Sequence, residues 1–287
     1  MPAAFAAGRP GHERRRSITC SSRVRGIWIP SGDGTVHLGL MPELFGHTRA
    51  RIGSRHALIT PDNQVASAVP GITGATVAIL INEALGARFA QLLVTFAKDG
   101  RASFRQAEVQ TFGYVMTGGL TITLAGQKEK LGAGGYFYAP AGQACELSGA
   151  RPGTRLTVFQ KKYQSLAGTS GPDPIIGDAA RVKGTPFLGD PAANLQVLLP
   201  EDPAFDMAVN VFAYQPGGHL PFVEVHVMEH GLVMLDGQGV YRLEDSWYPV
   251  QAGDAIWMAP YCAQWFVAMG KKSASYLYYK DVNRSAL

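Results

Sequence analysis

Glu224, His226 and His230 crowd one carboxylate and two imidazoles into seven residues, within the stretch GHLPFVEVHVMEHGLVMLDGQG at 218–239. Side chains alternate faces along an extended strand, so Glu224 and His226 at i and i+2 point the same way and can reach one ion. His230 follows four residues later, where a curved strand entering a turn at Gly231 would close the other side of a coordination polyhedron. A single histidine on an apolar face is ordinarily a satisfied core residue, and two near each other can be an interface pair. Three of the seven histidines stand at 219, 226 and 230, and burying ionisable groups without a partner is costly, which favours a shared ligand. Gly218, Gly237 and Gly239 read as positive-φ turn residues that hold the strands carrying the donors.

These donors need a rigid scaffold, and the composition supplies a β-rich one. The 287 residues suffice for one large domain or two ordinary ones. The 34 Gly and 18 Pro, with abundant Val, Thr, Tyr and Phe, point to many short strands joined by turns. No run of eighteen apolar residues is present, so no segment reads as a membrane span. Residues 1–56 hold nine arginines against Glu13, Asp33 and Glu43, leaving 17 basic and 19 acidic residues in the remainder. That balance excludes a basic nucleic-acid surface on the folded body. Cys20, Cys145 and Cys262 are an odd count at unrelated spacings, which fits free thiols in a reducing cytoplasm.

Residues 1–40 mix Arg, Gly, Ser and Pro without a period and lack the apolar core of a secretory signal; they read as a disordered extension, with Met41 as the true start. Strands are expected near 77–81 and 89–96, closed by a turn at Asp99-Gly100. The sequence then repeats itself. Gly113-Tyr-Val-Met matches Gly231-Leu-Val-Met, and Gly134 to Pro140 matches Gly253 to Pro260, at offsets of 118 and 120 residues. A duplicated β unit follows. At the 118-residue offset Gln106, Glu108 and Phe112 face Glu224, His226 and His230, so the first copy, 41–170, is expected to hold no metal. A Gly-, Pro- and Asp-rich linker at 165–194 places the boundary near 170, and 171–287 forms the metal-binding copy.

The pattern Gly218-x5-Glu224-x-His226-x3-His230-x6-Gly237, followed by Gly253, Pro260 and Gln264, resembles the two motifs of the cupin barrel. Glu and the second His exchange their usual places, and Gln264 stands where a last His is common. A duplicated cupin with this swapped set is similar to the (S)-ureidoglycine aminohydrolases of purine degradation. The likeness covers roughly 41–287 and is strongest over 224–243, 245–260 and 278–284. It implies an all-β bicupin, two tandem double-stranded β-helix (jelly-roll) barrels. It also implies a single Mn2+ in the C-terminal barrel on Glu224, His226, His230 and Gln264, substrate contacts from Tyr241, Gln264, Tyr276 and Lys280, and a cytoplasmic homo-oligomer acting on a small molecule.

The residues themselves add two arguments. Two imidazoles, a carboxylate and an amide oxygen, with no thiolate, suit Mn2+ or Fe2+ with open positions better than a structural zinc. Lys280 sits on an apolar strand where a solvated lysine is poorly explained, and beside a metal it would serve proton transfer together with Glu224. Tyr241 and Tyr276 have an alternative as buried amphipathic rings, since YLYY also reads as a core strand. Two other functions compete: another metal-dependent cupin enzyme such as a dioxygenase or an isomerase, and a non-catalytic binding bicupin. Gln264 as a fourth protein donor argues against the oxygenase, because it takes a position oxygen would need.

Overall fold

The computed structural model describes residues 47–285. The expected extension over 1–40, the start at Met41 and Cys20 lie outside the described residues. Thr48–Leu287 forms one compact unit, built almost wholly from antiparallel strands, and it is a bicupin of two β-barrels in tandem.

The spine of the first barrel is Ala90–Phe104. Ile72–Ile81 pairs with both of its halves, while Thr154–Lys162 pairs with the first half and Cys145–Ser148 with the end. The turn expected at Asp99-Gly100 is therefore a bend inside one long strand. Asp99 takes a φ of 58°, and a Cβ on Gly100 would stand 2.4 Å from the Gly74 carbonyl oxygen, so this pair lets the strand pass from one wall of the barrel to the other. In the second barrel an eight-stranded sheet faces the three strands Gln238–Leu243, Ser246–Gln251 and Gln264–Ala268. Between them lies a core that includes Phe212, Tyr214, Leu232, Met234, Tyr241, Phe266, Tyr276 and Tyr278.

The two barrels exchange a strand. His56–Ile59 precedes the first barrel in the chain yet pairs with Ala255–Met258 of the second; Ile175–Asp178 precedes the second and pairs with Gly135–Ala139 of the first. They begin at 56 and 175, which is 119 residues apart. His56–Ile59, ahead of the first barrel in the chain, is thus paired within its own chain.

The same 119-residue offset relates Gly118 to Gly237 and Gly134 to Gly253, all with positive φ. It corrects the 118-residue alignment over Val109–Thr117 and His230–Asp236. A one-residue slip exchanges the faces of a strand, and Phe112, matched to His230 at 118, points outward into a cluster with Phe89, Phe159 and Tyr279, residues drawn from both barrels. At 119 the counterpart of His230 is Thr111, and that of Gln264 is Cys145. Register partners then match Lys280 to Gln160, since His230 pairs with Lys280 and Thr111 with Gln160. The corresponding positions of the first barrel hold no imidazole.

Asp206, fully buried, also draws on the first barrel, accepting from the Gln110 side-chain amide, the Lys161 ammonium and, at 2.8 Å, the Gln164 backbone N–H.

Candidate active site

Alternation along three neighbouring strands turns His230, Leu232 and Met234, then Tyr276, Tyr278 and Lys280, then Asn210, Phe212 and Tyr214 toward the interior of the second barrel. His230 and Lys280 are register partners. Gln264 and Tyr241 come from the facing sheet. Glu224 and His226 are not on a continuous strand, as the i, i+2 argument supposed. They lie on a connection, fixed by a single bridge in which Glu224 N donates to Gln264 O at 2.8 Å and Gln264 N to Glu224 O at 2.9 Å. Tyr261 N then holds the His226 carbonyl at 2.7 Å. Gly231 is likewise no turn. It lies inside His230–Asp236, where a Cβ would meet the Phe89 ring at 2.4 Å. Of the three glycines read as turn residues, Gly237 has positive φ (71°), whereas Gly218 and Gly239 are needed for close backbone and ring approach.

The chemistry gathers around His226 Nε2. It stands 3.2 Å from His230 Nε2, 3.1 Å from Gln264 Nε2 and 3.8 Å from Glu224 Oε2. Ligand atoms about 2.1 Å from one ion and at right angles to each other are about 3.0 Å apart, so the two imidazole nitrogens fit a shared cation, while Gln264 turns its Nε2 to His226 and its Oε1, the atom able to bind a cation, to Tyr241. Among the described residues no three His, Cys, Asp or Glu side chains form a closed metal cluster; the amide of Gln264 completes the set, and Glu224 is its most distant member. His226 Nδ1 is buried without a hydrogen-bond partner. Burial foremost, then the charges of His226 and Lys280, pushes the His230 pKa well below its usual value, so the ring is neutral and offers a lone pair.

Above the imidazoles lies a layer of phenols. Tyr241 Oη donates to Gln264 Oε1 at 3.3 Å, Tyr214 and Tyr276 share a hydrogen bond at 3.0 Å, and Asn210 Nδ2 donates to Tyr278 Oη at 3.0 Å. Burial raises Tyr241 and Tyr276 well above the ordinary phenol range and Tyr278 to about 12. At neutral pH these groups are therefore hydrogen-bond donors and not bases. The Tyr278 ring lies 5.7 Å from that of His230. Sequence reasoning missed Tyr278, although its signal was present: Tyr276 and Lys280 are i and i+4 on one strand, so i+2 shares their face.

No family model matches the sequence. The chain is 38% identical over 273 residues to an (S)-ureidoglycine aminohydrolase of Arabidopsis thaliana, covering 94% of this chain and 90% of that one. It is 34% identical over 232 residues to the (S)-ureidoglycine aminohydrolase of Escherichia coli K12, covering 79% and 88%. Among solved structures, protein Ylba from E. coli superposes with a TM-score of 0.76 at 32% identity, over 84% of this chain and 96% of that one. An oxalate decarboxylase of Bacillus subtilis, at 9% identity and a TM-score of 0.62 over 80% and 78% of the two chains, shares the fold alone.

Proposed function

The chain belongs to the (S)-ureidoglycine aminohydrolase family, and from that membership we infer that it hydrolyses a C–N bond of (S)-ureidoglycine, giving (S)-ureidoglycolate and ammonia in purine degradation, with Mn2+ in the second barrel. Glu224, His226, His230 and Gln264 would hold the ion. When bound, it supplies Lewis acidity and a chelating centre for a substrate that carries amine, carboxylate and ureido groups on one carbon. One carboxylate against a divalent charge leaves the site positive, which suits an anionic substrate.

The remaining work falls to side chains of this chain. Water adds its oxygen to the substrate carbon as the carbon–nitrogen bond breaks. Glu224 takes a proton from the water, and Lys280, in register with His230, gives one to the departing amine. Tyr241 and Tyr276, kept protonated by burial, donate hydrogen bonds that orient the substrate's polar arms. The free thiols Cys145 and Cys262 suit a reducing cytoplasm, and the same reading takes the assembly as a homo-oligomer.

The observation that carries this reading is the convergence of Glu224, His230 and Gln264 on His226 Nε2 within 3.8 Å, beneath the phenols. The test is metal analysis of the purified protein followed by an enantiomer-resolved ammonia assay on freshly made ureidoglycine. Lys280→Met should lose ammonia release by about a hundredfold or more with metal content unchanged. Near-normal turnover in that variant removes Lys280 from the mechanism.

A further inference from the structure

We propose that Arg88, a residue of the first barrel, is a positioning residue for the reaction in the second. Resting on the function proposed above, this assigns the first barrel a part in the chemistry. Arg88 lies just before the spine strand Ala90–Phe104. Its backbone N donates to Glu229 Oε1 at 3.0 Å, its Nε donates to the same oxygen at 3.2 Å, and its Nη2 donates to Asp281 Oδ2 at 2.8 Å. Glu229 immediately precedes His230, and Asp281 immediately follows Lys280. The two residues are tied to each other as well, since the Glu229 backbone N–H donates to Asp281 Oδ1 at 2.6 Å. Trp257 Nε1 reaches Glu229 Oε2 at 3.4 Å from the strand that pairs with His230 on its other side.

One guanidinium thus spans the ends of the two strands that present His230 and Lys280 to the substrate. Glu229 is fully buried, and its carboxyl is raised by burial against the opposing pull of Arg88. The rigid fork of an arginine can serve both acceptors at once, whereas a lysine is a point donor that serves one. Arg88 acts through the chain neighbours of His230 and Lys280, and displacing groups that orient a ligand from outside commonly changes metal affinity or activity by about tenfold to a hundredfold. The next residue, Phe89, presses its ring against Gly231, so the same two residues of the first barrel set both the lateral position and the depth of His230.

The test compares Arg88→Met and Arg88→Lys with a control, Arg105→Met, which removes an exposed ion pair to Glu146. Three quantities are read: Mn2+ affinity of the metal-free protein by calorimetric titration, kcat and KM for ammonia release, and melting temperature. Arg88→Met should lower Mn2+ affinity and kcat by about tenfold to a hundredfold, with KM changed less than about threefold, and Arg88→Lys should fall between it and the unaltered protein. The control should match the unaltered protein in both. Should Arg88→Met fail to fold, Asp281→Asn keeps the side chain's shape and should move Mn2+ affinity and kcat in the same direction. Wild-type affinity and kcat in Arg88→Met, with only a lower melting temperature, would reduce Arg88 to a fastening and overturn the proposal. If the unaltered protein released no ammonia, the reaction would fall while the Mn2+ titration still decided whether Arg88 positions His230.

Discussion

His230 shows how burial prepares a side chain for its work. The barrel interior, with the charges of His226 and Lys280, holds its pKa well below the ordinary imidazole value. The unfolded chain, with a pKa near about 6.5, takes up the proton first as pH falls. The neutral ring therefore costs no stability above about pH 6.5, and the fold loses stability progressively below it. Thermal melts of metal-free protein should show the melting temperature falling from pH 6.5 toward 5, and a flat profile would mean that His230 protonates without penalty. The grouping was legible, since His230, Gln264 and Glu224 do gather around His226 Nε2. Their backbone was not. Spacing suggested a strand through Glu224 and His226, but a connection held by a single bridge to Gln264 brings the same side chains together, and pairing of that kind leaves no periodic trace.

At the level of strands, packing between the barrels overrode local turn chemistry. Gly231 looked like a turn because glycine so often is one, yet it is a strand residue whose missing side chain admits Phe89. Gly231→Ala should cost about 1–3 kcal/mol through overpacking, read from denaturant unfolding, and wild-type stability would show that the Phe89 ring moves aside freely. The two expected strands near 77–81 and 89–96 are present as parts of Ile72–Ile81 and Ala90–Phe104. The turn placed at Asp99-Gly100 became a bend because Ile72–Ile81 follows the strand through it while the other edge changes partner from Thr154–Lys162 to Cys145–Ser148, a fact that only long-range contacts decide. The duplication was legible too, but aligning glycine on glycine set its register one residue out. Only the alternation of inward and outward faces, visible once Phe112 is seen in the shared core, gives Thr111 as the counterpart of His230.

Across the whole molecule, charge buried between the two halves fastens them. Asp206 on the approach to the second barrel meets Lys161 and Gln110 of the first, with Lys161 itself buried. Asp206→Ala would strand that ammonium without a partner, a change expected to cost about 3–5 kcal/mol. Chemical denaturation of the two proteins measures it, and a loss below about 1 kcal/mol would mean that water reaches Lys161 in the variant.

The strand exchange reaches beyond the finished structure. Ala57 pairs with Trp257, so the ribosome must add 200 residues before the strand that needs His56–Ile59 exists. At about 5–20 residues per second this takes roughly 10–40 s, during which His56–Ile59 has Arg51–Ile52 on one edge and an open hydrogen-bonding edge on the other. Such edges pair readily with other polypeptides, so the interval between translation and completion of the second barrel is when newly made chains are most exposed to aggregation.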